Sequence, residues 1–95
     1  LMAQNTTVDV PAATWTQLTD ADISAITFQN LGGNYCLIKG TTDTSAPTTT
    51  AGAIRYNPGQ GERNVTMSDL FPGISGVDRL WAYAADATAV MVSHA

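Results

Sequence analysis

Ala25-Ile26-Thr27-Phe28-Gln29-Asn30-Leu31-Gly32-Gly33-Asn34-Tyr35-Cys36-Leu37-Ile38-Lys39 is the stretch from which the fold is read. Ile26 and Phe28 alternate with Thr27 and Gln29, the two-residue period of a strand with one buried and one solvated face. Gly32 and Gly33 are able to take positive φ, so the stretch predicts a β-hairpin from Ala25 to Lys39 that turns through Gln29–Asn34.

The same short, β-rich runs recur on both sides. Thr6 to Val10, Ala13 to Leu18, Ala53 to Tyr56, Arg63 to Met67, Arg79 to Ala84 and Thr88 to Ser93 read as strands between turn signals. Fourteen threonines, and no run of good helix formers with a 3.6-residue period, favour strands throughout. Val8 and Val10 point one way and Asp9 the other. Tyr83 to Val92 predicts a second hairpin through Ala85-Asp86-Ala87. The fold class that follows is all-β, a small antiparallel β-sandwich or barrel of about seven or eight short strands with at most one helical turn.

The intervening segments have their own signals. Gly40 to Gly52 is rich in Thr, Ser and Ala and holds Pro47 with no apolar anchor, so it reads as a long exposed loop, a class often functional. Asn57-Pro58-Gly59-Gln60-Gly61 reads as a tight turn linking two strands. Ser68 is read as the N-cap of one helical turn that Pro72 ends. Residues 1–5 read as an N-terminal arm, ordered only when something binds it, and residues 6–95 as a single β domain. Leu1 ahead of Met2 reads as a residue added during expression, and Leu1 to Val10 has neither the charged nor the apolar region of a signal peptide.

Composition narrows the functional classes. At 95 residues the chain has room for one modest core. With one cysteine it forms no disulfide within itself, and the apolar neighbours of Cys36 make it a core residue. A net charge of -4, with Lys39, Arg55, Arg63 and Arg79 scattered, argues against nucleic-acid binding. No apolar run approaches membrane-spanning length, so the chain reads as soluble, with no membrane partner.

The chemistry-bearing residues are sparse, and the chain is expected not to be an enzyme and to need no cofactor or metal. His94 lies next to the last residue, where a base is seldom held rigidly, and it reads as a polar residue ending a strand or making a contact. Asp20-Ala21-Asp22 resembles the start of a calcium loop but lacks the following glycine and glutamate, so it reads as a solvated turn. Glu62 is the lone glutamate and no aspartate has an evident apolar pocket. Gly59-Gln60-Gly61 lacks the rest of a phosphate loop. The sequons at Asn5 and Asn64 are expected by chance in so threonine-rich a chain.

Protein contact is the remaining theme. Trp15, Trp81, Tyr35, Tyr56 and Tyr83 supply either core packing, an interface or a sugar-stacking platform, with Trp15 the leading core anchor. Arg55 and Tyr56, at the end of the long loop that holds Pro47, have the composition of an interface hot spot. The strand Thr6 to Val10 offers Val8 and Val10 for addition to an edge on a neighbour. Val8, Val10, Pro47, Arg55 and Tyr56 are therefore the candidate interface residues.

Thr14-Trp15-Thr16-Gln17-Leu18-Thr19-Asp20 and Ala25-Ile26-Thr27-Phe28-Gln29-Asn30 together resemble small structural proteins of tailed bacteriophages. The likeness extends to Ala46-Pro47-Thr48, Asn57-Pro58-Gly59-Gln60-Gly61-Glu62, Leu70-Phe71-Pro72-Gly73 and Val92-Ser93-His94-Ala95. The resemblance implies a virion accessory protein on the capsid surface, of the cement or decoration type, bridging neighbouring major capsid proteins as a homo-trimer. A neck or tail adaptor, a fibre-attachment domain and a carbohydrate-binding β-sandwich module are the alternatives.

Overall fold

In the computed structural model, which describes residues 3–19 and 22–95, the chain runs β1 (Gln4–Val10), β2 (Thr16–Gln17), β3 (Ala25–Asn30), β4 (Cys36–Thr41), β5 (Ile54–Tyr56), β6 (Gly61–Thr66), α1 (Met67–Leu70), β7 (Arg79–Tyr83) and β8 (Thr88–His94). Two four-stranded antiparallel sheets result, the first in the order β1-β8-β3-β6 and the second β2-β7-β4-β5. Alternate residues of each sheet meet between the layers. Val10, Ile26, Phe28, Val90 and Val92 enter from the first sheet and Cys36, Ile38, Tyr56, Leu80 and Ala82 from the second. The expected all-β sandwich is the fold.

The connections correct both predicted hairpins. β3 and β4 lie in different sheets, and so do β7 and β8, so the connections 31–35 and 84–87, at the two expected hairpin turns, are arches from one layer to the other. Layers pack about 10 Å apart, a span that a few extended residues cover. Neither Gly32 nor Gly33 has positive φ. Gly32 is instead needed for close approach: a Cβ there would lie 1.9 Å from Thr88 Oγ1. Among the described residues the one hairpin between chain-consecutive strands is β4–β5, whose ends are joined by the long loop. Every other strand-to-strand connection changes sheet, which with this strand order is the topology of an eight-stranded jelly roll.

Several boundaries also move. The first strand begins at Gln4, because Gln4 and Asn5 pair with His94 and Ser93, so the expected arm is partly strand, and residues 1 and 2 lie outside the described residues. Of the expected strand Ala13–Leu18 only Thr16–Gln17 forms a strand; Ala13 sits at φ 54 and donates its N–H to Ala84 O, and Leu18 N–H bonds Leu80 O. Gly40 belongs to β4 and to the core, where its missing Cβ leaves room for Phe71 and Val77. The tight turn is present: Pro58 leads, Gly59 sits at φ 86 and Gln60 N–H bonds Asn57 O at 3.0 Å. It too crosses between sheets. The helical turn is capped by Thr66, two residues ahead of the expected Ser68, with Thr66 Oγ1 accepting from Asp69 N–H.

Candidate functional site on the outer face of the second sheet

The outward residues of the second sheet follow from its register. Leu80 and Ala82 enter the core, so Arg79, Trp81 and Tyr83 turn outward; by the same alternation Leu37, Lys39 and Thr41 do so on β4. Pairing then builds rows across the face. Arg55, Leu37 and Tyr83 form one, Lys39, Trp81 and Gln17 the next, and Thr41 and Arg79 the last. Trp15, just before β2, adds its ring to Tyr83 at a centroid distance of 5.2 Å. Tyr35, just before β4, lies under the Arg55 guanidinium at 3.9 Å.

Hydrogen bonds hold these rings and cations in place. Lys39 Nζ sits 5.9 Å from the Trp15 ring centre and donates to Thr49 O, which ties the long loop to the face. Arg55 Nε donates to Asn57 Oδ1, and Trp81 Nε1 donates to Thr41 Oγ1 at 2.9 Å. Trp81 is only 6% exposed although it points outward, so its neighbours on the face cover it. Arg79 is ion-paired with Asp22 and Asp78 at the edge of the patch. Three of the chain's four cations are thus gathered on one face of an acidic protein. The outer face of the first sheet, by contrast, carries small and polar residues such as Thr7, Thr27, Ser93 and Ala89 with Met91.

Cations that already rest on aromatic rings lose less conformational freedom when a partner covers them. Aromatic and arginine side chains over a flat sheet are also the composition enriched in protein interfaces. The arrangement suits a broad partner surface carrying carboxylates. Surface depressions of about 200, 310 and 280 Å³ lie elsewhere among the described residues, at or below the small end of ligand pockets, and none of these is lined by Trp or Tyr.

The candidate interface residues separate. Arg55 is exposed and belongs to the face, and Pro47 is half-buried in the loop that Lys39 tethers. Val8 is half-buried against the core edge. Val10 and Tyr56 are corrected: Val10 is completely buried, and Tyr56 packs edge-on against Phe28 at 5.0 Å, so neither side chain reaches a partner. Trp15 is likewise no core anchor, since it stacks on Tyr83 outside the sheet. Its flanking threonines gave no sign of this, because a two-residue strand is too short to show which face is buried.

The remaining chemistry-bearing groups are held in structural contacts. Burial pushes the Cys36 thiol up to about 11, which keeps it protonated at neutral pH. Tyr56 donates its hydroxyl to Glu62 at 3.1 Å, and burial followed by that bond moves its ionisation well above the usual range. His94 ends β8, buried, with Nε2 3.0 Å from Gln4 Oε1. Asp22 is engaged by Arg79, while Asp20 lies outside the described residues. Among the described residues no three His, Cys, Asp or Glu side chains gather in a metal-holding group, and no helix is long and apolar enough to cross a membrane. A scan of protein-family models found no match to the chain, and neither did searches of curated proteins and of solved structures.

Proposed function

We propose that this chain is a virion accessory protein that binds the outside of a phage capsid and stabilises it by bridging neighbouring major capsid proteins. The sequence resemblance supplies the virion setting. The observation that supports a contact function is the outer face of the second sheet, where Trp15, Tyr83, Leu37, Lys39 and Arg55 form an aromatic and cationic surface. Jelly rolls serve widely as viral coat and lectin domains, which supports the reading as a fold-level analogy.

A bridging protein does no chemistry; its binding free energy adds to what must be overcome to separate two capsid subunits. Several copies acting together need only weak single contacts, since linked contacts form as intramolecular events. Co-sedimentation of the purified chain with heads assembled without it tests the reading. Binding should fall at least tenfold in the double variant Lys39→Glu with Arg55→Glu. Equal binding by the variant would remove the face from the account.

A sugar-binding module is the second reading, favoured by the position of Trp15 and Tyr83 outside the core. Tryptophan fluorescence that shifts with a defined glycan, in a variant-sensitive way, would select it.

A further inference from the structure

The four sheet edges differ. β2 and β5 present only two and three residues. β6 presents six, but its register against β3 shifts between Ile26 and Phe28, Asn64 sits at φ 46, and Glu62 and Arg63 add charge. Shortness, bulges and charges are the devices by which edges avoid pairing with other chains. β1 is neither short nor bulged and has a single charge. It runs for seven residues, pairs without a break from Gln4↔His94 to Val10↔Thr88, and carries Asp9 as its only charge. Among the described residues no strand lies on its other side, so a regular row of N–H and C=O groups is left open.

We propose that this open edge pairs antiparallel with β1 of a second copy about a two-fold axis at Thr7, joining two four-stranded sheets into one continuous sheet. The occupant follows from the sequence of β1 itself. A two-fold axis normal to the sheet keeps inner face on inner face, and centring it on Thr7 uses all seven residues while leaving Pro11, which has no N–H, just outside. Asp9 then lies opposite the second copy's Asn5, so a carboxylate meets an amide and the two Asp9 side chains stay apart. Val8 lies opposite Thr6, a pair of β-branched residues suited to a pleated surface. Centring on Val8 instead would place Thr7 opposite Asp9 and bring Pro11 into the ladder.

The pairing is independent of the capsid reading and uses the other sheet. Any threefold assembly has to use a different surface. Cross-linking tests the register. Thr7 and Asn5 are exposed, so cysteine at either is tolerated, and Cys36 is buried away from reagents. Oxidised Thr7→Cys should give a disulfide-linked pair, since directly opposite residues have Cα atoms about 4.5–5.5 Å apart, within disulfide reach. Asn5→Cys should not, because the two copies' Asn5 residues are displaced by about 13 Å along the strands. Thr7→Lys, which places two cations on the axis, should halve the mass that light scattering gives for the unaltered chain while leaving its circular dichroism unchanged. A monomeric unaltered chain, a mass unaffected by Thr7→Lys, or equal cross-linking through Asn5→Cys would each overturn the proposal.

Discussion

Thr88 Oγ1 donates a hydrogen bond to Asn30 Oδ1 across 2.9 Å in the interior of one end of the sandwich. Asn30 is 1% exposed and every polar atom of its side chain is used: Nδ2 donates to Asn34 O and Tyr56 O, and Oδ1 also accepts from Gly32 N–H. Its main chain bonds Gln60 O and Gly59 N–H. One residue thereby pins the three arches that follow β3, β5 and β7. Asn30→Ala should cost about 3 kcal/mol, because it strands several buried partners at once, and Thr88→Val about 1 kcal/mol, because Gly32 still serves Asn30. Urea midpoints at constant slope measure both, and the double variant should fall short of the sum.

Gly61 lies against β3 so closely that a Cβ would meet Phe28 O at 2.0 Å, whereas one at Gly33 would meet nothing. Gly61→Ala should therefore lower the thermal midpoint by about 10 °C, a loss of about 2 kcal/mol in a domain of this size, and Gly33→Ala should leave it within a degree or so. Calorimetry on the pair separates close approach from backbone freedom.

Alternation at Ile26, Phe28, Val8 and Val10, and the apolar setting of Cys36, were enough for the β class and much of the core, since each depends only on period and side-chain type. The paired glycines at Gly32 and Gly33 carried a hairpin signal because positive φ and close approach use the same residue. Only the position of Thr88, far along the chain, distinguishes them. The aromatic face was illegible for a related reason: Trp15 meets Tyr83, and Arg55 meets Tyr35, through strand pairings that no local pattern encodes.

Stability should fall at alkaline pH. The Cys36 thiol rises from 9.0 to about 11 on folding because burial disfavours the thiolate. Above pH 9 the unfolded chain releases a proton that the folded chain keeps, so stability is full below that point and is lost between pH 9 and 11. Tyr56 shifts in the same direction, extending the loss to higher pH. Chemical unfolding at pH 8 and pH 10 measures it, and Cys36→Ala should flatten the part near pH 10. The native thiol should also resist a disulfide reagent at pH 8 until the chain is unfolded.

Trp15→Ala should separate binding from stability. Its ring is half-buried and stacked outside the core, so the variant should lose about 1 kcal/mol or less of folding stability. Its binding to heads should fall tenfold or more if the face is the contact. Binding by the unaltered chain should also weaken as salt rises, because Lys39 and Arg55 lie at the surface being covered.

Imaging heads assembled without this protein, after adding the purified chain in excess, tests the central claim most directly. The account predicts density at regular positions over the shell, oriented with the sheet β2-β7-β4-β5 against the major capsid protein and Trp15 and Arg55 within the contact. Bare shells at saturating concentration, or density confined to the neck or tail, would contradict it.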